Sequence, residues 1–284
     1  MRKLLKYDMR SVFNVWWIST LSMVAFFVIG TIGQRGITAM QTMHNPESYS
    51  AADNLLRAIY SSMRSFTYVA VVAYMLLNLI MIFRRFYTNL FTDQGYLTFT
   101  LPVSRTGVMA SKFLMGYIYV TACVIIVILG TVVMRIFNTA EGLVDVELLQ
   151  RWSTGLQEFW TDVGWVGLVY IAELLLMALA AEACVLLLYY SCITIGSVLV
   201  KKHKIMAAIG IYYGGNMAIT IAFVIAIVVF VDSSFVSRVG DIPEAWQFQF
   251  INAMFALIIA AIALVAWLLF FFNVRLLHKK LNLA

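Results

Sequence analysis

The chain has 284 residues, of which 63% are hydrophobic and only 12% charged, with a formal net charge of +6. A soluble domain carries roughly 25% charged residues and at most about half apolar ones, so this composition excludes a water-soluble globular fold and makes the bilayer the natural solvent. The basic balance does not call for a nucleic-acid partner, because the charges sort by membrane side, as the loops below indicate.

Taken in chain order, residues 1–12 are amphipathic. Lys3, Lys6 and Arg10 recur at spacings of three and four, while Leu4, Leu5, Met9, Val12 and Phe13 fill another face. The pattern predicts a helix lying in the membrane interface ahead of the first span; the plainer alternative is a basic leader that only fixes orientation. The apolar run that follows is too long for a signal-peptide core and is followed by no clear small-x-small cleavage site, so it reads as a retained anchor.

A helix needs about 20 mostly apolar residues to cross the hydrocarbon core. Six runs qualify, at about 13–34, 65–84, 108–136, 163–198, 205–231 and 250–273. The predicted fold class is an all-α integral membrane protein: six transmembrane helices in a single transmembrane domain over 1–284. The fourth run is long. Asp162 to Lys201 would extend about 58 Å if fully helical, so the helix must tilt, protrude or break, with Gly196 the candidate break. The fifth run opens Gly210-Ile211-Tyr212-Tyr213-Gly214-Gly215-Asn216, where small residues predict close helix packing.

The loops then sort by charge. The N-terminus, the loop between spans two and three, the turn after span four and the C-terminus carry fourteen Lys/Arg, among them Lys6, Arg84, Arg85, Lys201 and Lys280. The opposite side carries six: Arg35, Arg57, Arg64, Arg135, Arg151 and Arg238. The positive-inside rule places both termini in the cytoplasm of a multi-pass protein. Trp16, Trp17, Trp160, Trp165 and Trp246 fall near span ends, as an aromatic belt requires. Cys123, Cys184 and Cys192 sit inside apolar runs with no Cys-x-x-Cys pair, and His44, His203 and His278 are scattered, so no metal site is expected.

The loop between spans two and three is the most informative segment. A plain turn would be short and polar, yet this one keeps Phe86, Tyr87, Leu90, Phe91, Tyr96, Leu97 and Phe99. Such side chains need burial, in the interface or against a partner. Gly95 offers a break, Pro102 disfavours helix at Leu101, and Ser104 suits the N-cap of the third span. The run Asp93-x-Gly95-Tyr96-Leu97, then Leu101-Pro102-Val103-Ser104 and Ser111-Lys112, resembles the permease subunits of type-2 ABC exporters. The resemblance extends to the six-span layout, the interfacial N-terminal helix and the short basic C-tail. Asp93 and Tyr96 depart from the Glu and Thr that many members carry there.

That resemblance implies a cytoplasmic coupling helix between spans two and three, docked into an ATPase subunit through Phe86, Tyr87, Leu90, Phe91, Asp93, Gly95, Tyr96, Leu97 and Pro102. It also implies a second six-span permease subunit, identical or similar, two copies of the ATPase, a bacterial plasma membrane, and an outer re-entrant pair of short helices at 232–249, where an ordinary extracellular loop is the alternative. The chain has no Gly-x-x-x-x-Gly-Lys-Ser/Thr phosphate loop, so it is not expected to be an enzyme by that route. ATP and Mg²⁺ would sit on the partner ATPase, with no cofactor on this chain. The cargo implied is an amphipathic peptide, a drug-like molecule or a lipid-linked compound.

Glu173 and Glu182 are the acidic residues well inside an apolar run. A charge at mid-bilayer costs about 3 kcal/mol or more and faces protein or a water-filled cavity. Nine helical steps put the two about 180° apart and about 13.5 Å along the axis, so they form no catalytic pair. Glu182, Glu173 and Asn216 are candidates for a substrate path, with structural hydrogen bonding to a neighbouring helix the alternative. A secondary transporter or channel without an ATPase would favour repeated halves and leave the aromatic loop unexplained. An intramembrane enzyme would need a motif such as His-Glu-x-x-His or Gly-x-Ser-x-Gly, both absent.

Overall fold

The computed structural model describes residues 2–43, 50–92, 95, 104–139, 144–199, 203–231 and 244–279. Among them the chain is all-helical: α1 (Arg2–Met43), α2 (Ala51–Phe91), α3 (Arg105–Ile136), α4 (Val146–Asp162), α5 (Gly164–Leu199), α6 (Lys204–Val231) and α7 (Glu244–Lys279). Five are long and apolar enough to cross a membrane, in α1, α2, α3, α5 and α7. The chain is an all-α protein of the multi-pass membrane class. α6 is a 28-residue helix at the position of the fifth expected span, with many of its side chains outside the described residues.

Local chemistry explains the helix starts. Ser50 and Asp53 form a reciprocal cap at α2: the Ser50 N–H donates to Asp53 Oδ2 at 2.9 Å and the Asp53 N–H to Ser50 Oγ at 3.2 Å. Ser104 caps α3, accepting the Gly107 N–H on Oγ at 3.2 Å. Asp145 caps α4, accepting the Leu148 N–H on Oδ1 at 2.9 Å. At the first residue of α5 the backbone enters the left-handed region, with φ of 53° at Gly164, which glycine adopts at no steric cost.

Three elements differ from the sequence reading. α1 runs unbroken through residues 12 and 13, not as a separate surface helix followed by a span, and no Gly or Pro interrupts residues 2–29. At 42 residues it extends about 63 Å, roughly twice the hydrocarbon core. α2 likewise continues past residue 84 to Phe91. In the fourth expected span the break lies at Gly164, and α5 is continuous through Gly196. Residues 232–243 of the expected re-entrant segment lie outside the described residues, and α7 has already begun at Glu244.

The chain divides into two units by packing, residues 2–84 with 114–162 and residues 85–113 with 163–284. In the first, the core holds Met23, Phe27, Tyr74, Cys123 and Met134. Small residues let the helices meet. A Cβ on Gly33 would lie 2.8 Å from the Tyr60 carbonyl oxygen, and one on Gly130 would strike the Phe27 ring. Polar side chains add bonds between helices: the Trp16 indole N–H donates to Cys123 Sγ at 3.3 Å, Tyr119 Oη to the Met9 carbonyl at 2.8 Å, and Thr67 Oγ1 to the Phe26 carbonyl at 2.9 Å. In the second unit α5 packs against both α6 and α7. Gly196 brings α5 and α6 together, since a Cβ there would lie 2.7 Å from the Ala208 nitrogen. Among the described residues, the glycines expected to pack, Gly210, Gly214 and Gly215, would meet nothing within 4 Å.

Candidate functional site

The end of α2 and the start of α3 flank the segment singled out in the sequence, and both ends are anchored in the second unit. Phe86 is fully buried and stacks on Tyr190 of α5, with ring centroids 4.0 Å apart and planes within 8°. Leu90, one turn on, is also fully buried. The Tyr190 hydroxyl donates to the Lys112 carbonyl of α3 at 3.3 Å. Val108, Met109, Ser111 and Lys112 are buried on the same stretch of α3.

α7 joins this cluster through two contacts. Arg105 Nη1 donates to the Leu277 carbonyl at 2.9 Å, supplying a partner to one of the last carbonyls of that helix. Asn273 is fully buried, and its Nδ2 donates to Ser191 Oγ at 2.7 Å and to the Leu269 carbonyl at 2.9 Å. Its Oδ1 is buried and has no hydrogen-bond partner among the described residues. Side chains from α2, α3, α5 and α7 therefore form one close-packed block around the two ends of the loop.

The predicted coupling residues divide by their surroundings. Phe86 and Leu90 face inward in this block. Tyr87 and Phe91 are half-buried, 6.1 Å apart between ring centroids, and keep part of their surface accessible. Gly95 donates its N–H to the Thr92 carbonyl at 2.7 Å, and a Cβ there would lie 2.6 Å from the Leu90 carbonyl oxygen, so the chain turns tightly where only glycine fits. Asp93, Tyr96, Leu97 and Pro102 lie outside the described residues.

The predicted path residues are less concentrated. Glu173 and Glu182 are half-buried on the unbroken α5, where nine positions keep them on opposite sides of the helix. Asn216 is exposed on α6. Beside the same α6 turn, Tyr189 Oη donates to Tyr212 Oη at 3.0 Å over rings stacked 4.5 Å apart.

In the first unit, sequence reasoning missed a polar cavity of about 240 Å³ lined by Gln34, Arg64, Tyr68, Thr131, Arg135 and Asn138, with Met134 beneath. Arg64 Nη1 donates to Gln34 Oε1 at 3.3 Å, and Thr38 Oγ1 to Asn138 Oδ1 at 2.8 Å. Arg64 and Arg135 line it and, among the described residues, no Asp or Glu does, a composition that suits a carboxylate or phosphate oxygen. The residues come from three helices and from Asn138, two residues past the end of α3, so no local motif announces them.

Compared with known proteins, the chain matches no protein-family model, no curated protein and no solved structure.

Proposed function

We propose that the chain is the membrane-spanning permease subunit of an ATP-driven exporter of the type-2 ABC class, with α6 as its fifth span, α7 as its sixth, and both termini in the cytoplasm of a bacterial cell. The observation that carries the reading is the aromatic Asp93-x-Gly95-Tyr96-Leu97 loop, held between two long apolar helices whose loop-side ends are locked into α5 and α7. Its docking face is formed by Tyr87, Phe91, Asp93, Tyr96 and Leu97. Phe86 and Leu90 anchor that face from within.

ATP and Mg²⁺ bind the separate ATPase, of which two copies act on two permease subunits. ATPase closure displaces the segment 86–103. Because close-packed cores are not continuously deformable, the displacement passes as a unit to the four helices around Phe86 and Tyr190. The second permease half approaches α6 where Gly210 and Gly214 leave room for another helix. The cargo is an amphipathic peptide, a drug-like molecule or a lipid-linked compound, passing Glu182, Glu173 and Asn216.

Affinity purification of the tagged chain from its native membranes in mild detergent, with mass spectrometry of the co-purifying chains, tests this reading. Recovery of an ABC ATPase, reduced by Tyr87→Ala with Phe91→Ala, is the expected result. A stable chain recovered without any ATPase would favour a secondary transporter instead.

A further inference from the structure

α4 is a helix of 17 residues with no buried side chain, too short and too polar to count among the membrane-length apolar runs. Its sequence is segregated. At 100° per residue, Leu148, Trp152, Leu156, Leu149, Trp160 and Val146 fall within one arc of about 160°, broken only by Ser153 near its edge. Glu147, Arg151, Glu158 and Asp162 share the opposite side, where Glu147 and Arg151 pair at 3.4 Å in full exposure. The apolar arc is largely uncovered, with Leu156 69% and Trp152 41% exposed.

The chain itself says what covers that arc. α4 follows the membrane-length helix α3 after the nine residues 137–145 and precedes the membrane-length helix α5 with one residue, Val163, between them. It is about 26 Å long and half polar, so it does not cross the bilayer, while the apolar first turns of α5, with Trp165, Val166, Leu168 and Val169, tie its C-terminal end to the bilayer. Two indoles on the apolar arc suit the headgroup level, where a ring can bury its body and keep its N–H wet. Val163 and Trp165, both exposed, keep the sequence apolar at the start of α5.

We infer that α4 is an interfacial helix. It lies along the lipid surface between the third and fourth membrane helices, with Leu149, Trp152, Leu156 and Trp160 in the headgroup–acyl boundary and Glu147, Arg151 and Glu158 in water. The occupant of the apolar face is lipid. This inference needs α3 and α5 to be membrane helices and is independent of the ATPase pairing.

The test uses the full-length protein in vesicles of phosphatidylcholine and phosphatidylglycerol, carrying a nitroxide label at Leu156→Cys or at Arg151→Cys. Both positions are exposed, so neither change disturbs packing. Wild-type protein taken through the same labelling corrects for Cys123, Cys184 and Cys192. Accessibility to oxygen, which partitions into lipid, is compared with accessibility to a water-soluble nickel chelate. The label at 156 should be relaxed by oxygen and shielded from nickel, with the order reversed at 151. Nickel access at both positions would overturn the inference, as would oxygen access without nickel at both. Shielding of 156 from both reagents would assign the face to protein, a second copy included, and would overturn it equally.

Discussion

Replacing Phe86 by Ala tests whether this aromatic is an internal anchor or an exposed docking residue. The ring is fully buried and lies parallel to Tyr190 at 4.0 Å. Truncating a buried Phe to Ala costs about 3–5 kcal/mol, from lost burial and the cavity left behind. The ring pair itself contributes about 0.5–1.5 kcal/mol beyond the area it buries. Phe86→Ala and Tyr190→Ala remove the same pair, so the double variant should lose less than the sum of the singles by about that amount. The assay is reversible unfolding in mixed micelles of mild detergent and sodium dodecyl sulfate, followed by tryptophan fluorescence. Two results would refute the reasoning: a loss below about 1 kcal/mol for Phe86→Ala, as surface positions show, or singles that add within about 0.3–0.5 kcal/mol.

The same titration should separate the two kinds of glycine. Gly33→Ala places a Cβ 2.8 Å from the Tyr60 carbonyl oxygen and should cost about 1–3 kcal/mol, whereas Gly155→Ala in α4 meets nothing within 4 Å among the described residues and should be neutral or stabilising by up to about 1 kcal/mol. Ser104→Ala removes the acceptor of the Gly107 N–H; it should cost about 1 kcal/mol and speed hydrogen exchange in the first turn of α3 while leaving α7 unchanged. Tyr87→Ala with Phe91→Ala should lower ATPase recovery while costing less stability than Phe86→Ala alone, as paired pull-down and unfolding measurements will show.

The features that could be read from the sequence are those with a local cause. The long apolar runs announce the membrane helices, and Ser104, three residues before a glycine N–H it accepts, announces its cap. What the sequence reading missed has two physical origins. Some signals were periodic but continued past an expected boundary. Tyr74, Asn78, Ile82, Phe86 and Leu90 recur every fourth residue and all are buried, so the stripe carries α2 beyond residue 84 into the segment read as a loop. α4 is similarly present in the spacing of Leu149, Trp152, Leu156 and Trp160 but is too short and polar to stand out as a membrane-length run.

Other features depend on what lies across the space, which no single chain segment encodes. Small residues at 210, 214 and 215 resemble those at 30, 33 and 196, yet among the described residues only the latter three meet another helix. The Arg64–Arg135 cavity and the Asn273–Ser191 bond each join helices distant in sequence. Half of the coupling motif is a matter of placement too: Phe86 and Tyr87 are adjacent aromatics in the sequence, and the helix turns one into the core and leaves the other partly at the surface.

The most direct test of the permease reading is a photo-cross-link from the loop itself. A benzophenone-bearing amino acid placed at Phe91, half-buried at the end of α2, is activated in native membranes and its adducts identified by mass spectrometry. The account predicts a covalent adduct with an ATPase chain carrying a phosphate-loop motif, lost when that ATPase is deleted. Adducts confined to lipid or to the chain itself, in a protein that still transports, would contradict it.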